Sequence, residues 1–166
     1  MQISIRQERP GDERAIRTLT DAAFKDMPFS DGDEGPLVEK LREDGDLVLS
    51  LVAVDDGGSI VGHIGFSPIT IEQASGPWFQ LSPVSVVPAH QHSGIGSALI
   101  EEGARQMAER GAHGIALVGN PAYYGRFGFI LEHEVTLSQQ MDPVLQIKTL
   151  QGDPPSGQLT LAPAFG

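Results

Sequence analysis

Residues 84–100 read VSVVPAHQHSGIGSALI and form the most informative segment of the sequence. An extended apolar segment leads into a polar loop, two glycines follow at Gly94 and Gly96, and helical spacing of apolar residues begins behind them. The start of a helix leaves about four backbone N–H groups unpaired and carries about half a positive charge. Glycines let an anion approach that backbone closely. The stretch therefore predicts a strand, a phosphate-binding loop and a helix.

Two common phosphate-binding loops do not match these residues. A P-loop needs Gly-Lys-Ser/Thr before its helix, whereas Gly96 is followed by Ser97 and then alanine. A dinucleotide-binding loop needs a third glycine, where Leu99 stands, and an acidic residue at the end of the next strand, where the chain has Asn120. A protein that binds NAD or ATP is therefore the less favoured alternative.

The loop resembles the pyrophosphate loop of the GNAT superfamily of N-acetyltransferases. Residues 91–96 read QHSGIG and fit the Q/R-x-x-G-x-G/A pattern of that family, with a V-x-V strand and a proline before it. The resemblance implies acetyl-CoA as the co-substrate, with its pyrophosphate at the helix start and its pantetheine arm along the strand. The residues that the resemblance assigns to the cofactor in this stretch are Val84, Ser85, Val86, Gln91, His92, Ser93, Gly94, Ile95, Gly96 and Ser97.

A second match lies at residues 120–129, which read NPAYYGRFGF. It resembles the GNAT ending in which a tyrosine, here Tyr124, precedes a Gly-Phe pair by four positions, and it looks like a small stand-alone bacterial branch. The resemblance implies Tyr124 as the general acid and adds Asn120 and Tyr123 to the cofactor site. The chemistry fits, because amine attack on a thioester expels a thiolate whose thiol has a pKa of about 8.5. A tyrosine with a pKa of about 10 is protonated at neutral pH and can donate to it.

The resemblance also assigns a main-chain role to Val84. In GNAT proteins a backbone N–H of the bulged strand before the loop commonly holds the oxyanion, and the register points to Val84. Pro83 supports this prediction, because a proline has no N–H to donate and disrupts the sheet ladder beside it. We therefore expect the sheet to splay apart near residues 84–87, with acetyl-CoA in the gap.

The general base has no assignment in the sequence. The strand before the loop, residues 78–85, contains no carboxylate, and the remaining candidates are Glu34, Glu39, Glu72 and His63. The missing carboxylate motivates an alternative function in the same fold, a catalytically degenerate acyl-CoA-binding regulatory module. That module would bind CoA and acetylate no amine.

Composition narrows the classes of partner. The 166 residues contain no cysteine, and 11 basic against 22 acidic residues give a net charge of -11. This balance argues against a nucleic acid or an anionic membrane and is compatible with a cationic amine acceptor, a small molecule or a protein. His90 and His92 lack a third metal ligand, and Asp31–Glu34 lacks calcium-loop spacing, so we expect no metal. No signal peptide or membrane span is apparent, and a cytoplasmic enzyme is expected.

The periodicity along the chain predicts the order β-α-α-β-β-β-α-β-α-β-β. This is an α/β class with a mixed, splayed sheet flanked by helices, the GNAT fold, in a single domain over residues 1–166. The segment 139–166 matches no motif, and we expect it to complete the sheet or to contact the second subunit of a homodimer. The expected reaction is direct acetyl transfer to a primary amine in a ternary complex.

Overall fold

The computed structural model describes residues 2–27, 30 and 32–166. In these residues the chain has an α/β fold, with eight strands in an open mixed sheet and four helices. The elements are β1 (Ser4–Gln7), α1 (Glu13–Phe24), α2 (Glu34–Asp44), β2 (Leu49–Val54), β3 (Ile60–Gln73), β4 (Trp78–Val86), α3 (Ile95–Glu109), β5 (Gly114–Val118), α4 (Pro121–Tyr124), β6 (Glu134–Thr136), β7 (Leu145–Thr149) and β8 (Ser156–Thr160).

The chain divides into two compact units. The first runs up to Phe66 and resumes over Ser82–Gly103, and the second comprises Ser67–Leu81 and Ala104–Gly166. Strands β3 and β4 therefore contribute residues to both units. That residues 1–166 form one domain stays a prediction.

In the first unit, three antiparallel strands support two helices on one face. β2 pairs with β1 and with β3, and the register places Val52 opposite His63 and Ser50 opposite Gly65. Val52 forms a fully buried cluster with Ile16 of α1 and Val38 of α2. The amphipathic spacing of α1 and α2 predicts this inward face, and the structure confirms it.

One glycine lets α3 sit directly on β3. A Cβ atom on Gly62 would lie 2.9 Å from Ile95 Cγ2 and 3.0 Å from Leu99 Cδ1. These distances are shorter than van der Waals contact, so a larger residue would displace the first turn of α3. Ile95 and Leu99 are buried there. The close approach fixes where the start of α3, and hence the loop before it, lies on the strand.

The second unit is organised around β5. This strand pairs parallel with β4, Trp78–Gln80 against Gly114–Ala116, and antiparallel with β7. β8 pairs antiparallel with β3 and parallel with β6, a short strand additional to the order that the periodicity predicts. The buried apolar cluster of this unit comprises Ile69, Ile71, Trp78, Ala116, Val135, Leu145, Ile147 and Leu159.

The sequence Asp-Asp-Gly-Gly at residues 55–58 predicts a hairpin turn, and the structure confirms it between β2 and β3. Asp55 Oδ1 accepts hydrogen bonds there from the N–H groups of Gly57 and Ser59. In the described residues the β4–β5 ladder ends at Gln80, so Pro83 lies beyond it and needs no N–H there. The composition of residues 27–35 also predicts a turn, and this segment lies partly outside the described residues. No described helix is long and apolar enough to cross a bilayer.

Candidate active site

The loop between β4 and α3 presents its backbone to solvent. His92, Ser93 and Gly94 are all exposed, directly before the first residue of α3. His92 and Gly94 have φ angles of 67° and 89°, in the left-handed region that glycine adopts freely and other residues rarely adopt. A Cβ on Gly94 would meet nothing within 4 Å. The loop therefore leaves open space beside the N–H groups at the helix start, as an anion site requires.

Short-range hydrogen bonds hold this loop. The Gln91 side chain donates through Nε2 to the Val86 carbonyl oxygen at 3.2 Å, and the Ser93 hydroxyl donates to the His90 carbonyl oxygen. Ala98 N–H donates to the Gly94 carbonyl oxygen at 3.0 Å and so begins the helical ladder. Gln91 thus acts on the backbone of β4, and its predicted contact with the cofactor stays a prediction.

The side chains of the other loop residues contribute little that a ligand could reach. Ile95 is buried against Gly62, so its predicted contact with the cofactor would be made by its main chain. Gly96 and Ser97 are half-buried in the first turn of α3. In this part of the chain the backbone, more than the side chains, offers the donors for a pyrophosphate.

The three β4 residues assigned to the cofactor alternate in burial. Val84 and Val86 are half-buried, whereas Ser85 is buried and its Oγ has no hydrogen-bond partner among the described residues. The strand continues to Val86 beyond the ladder with β5. The backbone of this segment is the predicted place for the pantetheine arm and the oxyanion, and both assignments stay predictions.

A hydrogen-bonded chain, which we call the His63 cluster, lies in the first unit and consists of Arg42, Glu8 and Ser50, which are half-buried, and the fully buried His63. Arg42 donates two hydrogen bonds to the Glu8 carboxylate, each 2.9 Å long. The Ser50 hydroxyl donates to Glu8 Oε1 at 2.7 Å and lies 2.9 Å from His63 Nε2. Sequence reasoning identified only His63, because the hydrogen bonds of the cluster join residues 13 to 42 positions apart along the chain.

The cluster sets the charge of each member. Burial lowers the pKa of His63 to about 4, so its imidazole is neutral at neutral pH. Burial acts to raise the pKa of Glu8, but the hydrogen bonds from Arg42 and Ser50 outweigh it and hold that pKa below its usual value. The result is a neutral ring beside a paired carboxylate and guanidinium.

The three candidate carboxylates for the general base already have structural partners. Glu34 accepts a hydrogen bond from Ser30 Oγ at 2.6 Å, and Glu39 pairs with Arg17 on the surface. Glu72 is exposed and accepts from the Gln158 backbone N–H at 2.6 Å. Each contact gives its carboxylate a structural role. None of the three carboxylates is therefore supported as the general base.

In the second unit, Tyr124 is held in a small aromatic group. Asn120 begins α4, its Oδ1 accepting from Ala122 N–H at 3.0 Å. The Tyr124 ring packs edge-on against Tyr123 and Phe129, with ring centres 5.0 and 6.2 Å apart. Burial raises the pKa of the Tyr124 phenol to about 12, with a smaller contribution from Tyr123. The phenol is therefore protonated throughout the neutral range and available as a donor.

Tyr123 and Asn120, the other two predicted residues of this element, have structural contacts of their own. The Arg126 guanidinium lies over the Tyr123 ring, 4.6 Å from its centre, and Phe127 packs edge-on against the same ring. Asn120 is exposed apart from its capping bond. Both residues serve the local fold, and their contact with a cofactor stays a prediction.

Two residues that sequence reasoning missed set the place of Tyr124. A Cβ on Gly119 would lie 2.6 Å from Tyr124 Cε2, so the ring lies directly on this glycine. The Gln146 side chain, buried in β7, donates through Nε2 to the carbonyl oxygens of Gly119 and Val144 at 3.1 and 3.3 Å. A glycine directly before Asn120 is the signal that could have indicated such a close approach.

Metal binding finds no support in the part of the chain that the structure describes. No group of three or more His, Asp or Glu side chains there could hold an ion. Asp31, one member of the acidic run, lies outside the described residues. The candidate functional groups are therefore the backbone donors and the His63 cluster in the first unit, and Tyr124 in the second unit.

Comparison with known proteins gives concordant results. The model of the acetyltransferase (GNAT) family matches residues 14–129. The N-acetyltransferase YhbS of Escherichia coli strain K12 is 38% identical over 127 residues, which cover 76% of this chain and 73% of that protein.

Two solved structures extend this result to the whole fold. A GNAT family acetyltransferase from Brucella melitensis, in complex with acetyl-CoA, is 41% identical with a TM-score of 0.86 and covers 99% of both chains. YhbS from Escherichia coli, in complex with CoA, is 29% identical with a TM-score of 0.89 over 99% of this chain and 92% of its own.

Proposed function

The chain belongs to the GNAT family of acetyltransferases, and from this membership we propose that it transfers the acetyl group of acetyl-CoA directly to a primary amine. The observation that carries the proposal is the exposed loop before α3, with Gly94 open to solvent at the helix start. In a chain of net charge -11, such a local donor site is the feature that suits a polyanionic cofactor.

The cofactor is assigned to two stretches of backbone. We place its pyrophosphate at Gln91–Ser97 and its pantetheine arm along Val84–Val86, with Asn120 and Tyr123 as further contacts. The acetyl-CoA and CoA complexes of the two similar proteins support this choice of cofactor. Backbone donors suit it because they need no net positive charge on the protein.

The reaction needs an oxyanion donor and an acid. We assign the backbone N–H of Val84 to the thioester oxygen, and the Tyr124 phenol to the leaving sulfur. The amine nitrogen forms a bond to the carbonyl carbon, the carbon–sulfur bond breaks, and the phenol proton goes to the thiolate. The proton that the amine loses then restores the phenol, so no charge remains on the protein.

For the acceptor we propose only a chemical class. The net charge of -11 favours a cationic amine, on a small molecule or on a protein, and dependence on acetyl-CoA favours a cytoplasmic enzyme. We also propose that residues 1–166 form a single domain and that the protein is a homodimer. The regulatory alternative without catalysis is not favoured, because the similar proteins are named N-acetyltransferases.

The first experiment measures cofactor binding. Calorimetry and thermal shift with acetyl-CoA, CoA, NAD and ATP are compared between the wild type and Gly94→Asp. We expect selective binding of the CoA species. The carboxylate that Gly94→Asp introduces should weaken it roughly 100-fold, because it occupies the open space at the helix start and repels the pyrophosphate.

Gly45→Asp is the matched control for that variant. Gly45 has a φ of 76° and nothing within 4 Å of its Cβ position, so its substitution carries similar backbone strain away from the loop. We expect this control to bind CoA as the wild type does. A wild type that binds NAD or ATP in preference to CoA would refute the proposed function.

A further inference from the structure

The imidazole of His63 contains a polar atom that the fold leaves unsatisfied. The ring is fully buried in the first unit, yet its Nδ1 has no hydrogen-bond partner among the described residues. Buried polar atoms of folded proteins are nearly always hydrogen-bonded, because an unpaired one costs free energy. His63 lies on β3, next to the proposed catalytic segment of β4. Its unpaired Nδ1 therefore points to a hydrogen-bond donor that a bound ligand supplies.

The His63 cluster fixes which nitrogen carries the proton. The Ser50 hydroxyl has a single hydrogen and donates it to Glu8 Oε1 at 2.7 Å. Arg42 pairs with that carboxylate through two hydrogen bonds and keeps it ionised. Ser50 Oγ must therefore accept at its 2.9 Å contact with His63 Nε2. The proton is on Nε2, and Nδ1 is left as an acceptor with a free lone pair.

The neighbours of the ring show where that lone pair points. Nε2 faces Ser50 on β2, and a Cβ on Gly65 would lie 3.6 Å from His63 Cε1 and 3.3 Å from the Ser82 carbonyl oxygen. The two ring nitrogens point in nearly opposite directions, and β3 has β2 on one side and β4 on the other. Nδ1 is therefore turned away from β2, and the ring lies close to the Ser82 carbonyl oxygen of β4. Ser82 and Val84 of that strand are half-buried.

We propose that His63 Nδ1 accepts a hydrogen bond from a neutral N–H group of a bound substrate, and that Glu8 and Ser50 are positioning residues for the ring. This inference rests on the proposed function. The cluster carries no net charge, because Arg42 compensates Glu8 and the ring is neutral, so it has no Coulombic preference for an ammonium ion. An unprotonated amine, which is the form that attacks a thioester, and an amide N–H of the pantetheine arm both supply the required donor.

Nitrogen NMR of protein labelled with ¹⁵N-histidine tests the proposal. In the free protein we expect a protonated Nε2 and an unprotonated Nδ1 for His63. An upfield movement of the Nδ1 resonance on addition of CoA identifies the pantetheine amide as the donor. Movement only when ethylamine is added to the CoA complex, at about pH 9 where part of the amine is unprotonated, identifies the amine. An Nδ1 resonance that stays in place through both titrations overturns the proposal.

Calorimetry on the same samples separates this failure from that of the proposed function. A wild type that does not bind CoA would overturn the proposed function itself. CoA binding with an unresponsive Nδ1 would overturn only the role of His63.

Paired variants add a second readout. His63→Asn keeps an acceptor near the Nδ1 position and loses the Ser50 contact, whereas His63→Gln keeps the Ser50 contact and loses that acceptor. We expect His63→Gln to weaken affinity for the responding probe about 10-fold and His63→Asn to weaken it less. The reverse order indicates a purely structural histidine and contradicts the proposal.

Ser50→Ala leaves the ring intact and tests the positioning role separately. Without the serine acceptor, the proton is expected to distribute over both ring nitrogens. The Nδ1 resonance should then move toward the protonated position in the free protein. An unchanged tautomer in this variant would show that Ser50 does not orient the ring.

Discussion

The loop before α3 and the aromatic group around Tyr124 are the two parts of the molecule with a recognisable motif, and they are built differently. Val87 N–H at the start of the loop donates to the Val61 carbonyl oxygen of β3. The hydrogen bonds described for the rest of the loop join residues at most five positions apart, such as the one from Gln91 to Val86. The place of Tyr124 depends on Gln146, which reaches the Gly119 carbonyl oxygen across 27 residues. A local motif thus carries its own conformation, whereas the tyrosine motif depends on a strand far along the chain.

The largest expected effect tests whether the Tyr124 motif carries chemistry at all. Tyr124→Phe removes the phenol but keeps the ring that packs against Tyr123 and Phe129. We expect turnover to fall about 10²- to 10⁴-fold, the usual contribution of a positioned acid. CoA affinity should stay within about threefold. Steady-state acetylation kinetics with a responding amine measure the first quantity, and calorimetry measures the second.

Tyr123→Phe is the control for that variant, because it removes the neighbouring hydroxyl from the same aromatic group. Because Tyr123 is a proposed cofactor contact, any loss should appear in CoA affinity, whereas turnover at saturating acetyl-CoA should stay close to that of the wild type. Equal losses in the two variants would show that the motif is a packing element and would leave the loop as the only functional one.

The second effect concerns the His63 cluster, which, like the Tyr124 group, is assembled from distant residues. The pKa of His63 is near 6.5 when unfolded and about 4 when folded, so the unfolded state binds the extra proton between those values. Stability is fully present above about pH 6.5 and falls toward pH 4, by roughly 3 kcal/mol for this group. Denaturant unfolding across this range measures the slope.

His63→Gln provides the reference for this slope, because it keeps a polar side chain that cannot titrate. Glu8 and Asp12 also have lowered pKa values and add acid sensitivity at lower pH, which the variant retains. The difference between wild type and variant should therefore lie in the window between about pH 4 and 6.5. Parallel curves in that window would mean that His63 is not buried as a neutral ring.

A third, smaller effect tests how Tyr124 is placed. Gly119→Ala puts a methyl group 2.6 Å from the Tyr124 Cε2 atom, and the ring or the backbone must move. We expect a loss of about 1–3 kcal/mol in stability, as for overpacked sites, and a fall in turnover without the loss of the phenol. Urea unfolding and steady-state kinetics measure the two effects.

Gly125→Ala is the comparison for that substitution. Gly125 follows α4 directly, and its Cβ position meets nothing within 4 Å. This variant should be nearly neutral in both assays. A Gly119→Ala enzyme that is equally neutral would contradict the dependence of Tyr124 on tertiary packing.

The smallest expected effect concerns the loop before α3. It tests whether a hydrogen bond of the loop affects the loop alone. Gln91→Ala removes one hydrogen bond to the Val86 carbonyl oxygen, worth about 1 kcal/mol. We expect CoA affinity to fall about fivefold, with little change in the melting temperature. Calorimetry checks the affinity, and a melting temperature that drops by more than about 5 °C would assign Gln91 to global stability instead.

The order of the elements and the family could be predicted from the sequence alone. Period and turn residues indicated every described α-helix and strand in order except β6, because these signals are local in the chain. The GNAT family followed from QHSGIG and NPAYYGRFGF, and the family model and the similar proteins confirm it. β6 was not in the predicted order, since it is three residues long and is defined by its pairing with β8.

The surroundings of the reactive groups depend on long-range contacts. Glu39 pairs with Arg17, and Glu72 accepts a hydrogen bond from the Gln158 backbone. Ser50 and Glu8 fix the tautomer of His63, and Gln146 holds the Gly119 carbonyl oxygen beside Tyr124. The reason is physical: a residue's burial and hydrogen-bond partners set its pKa and protonation state, and these come from residues that adjacency in sequence does not reveal.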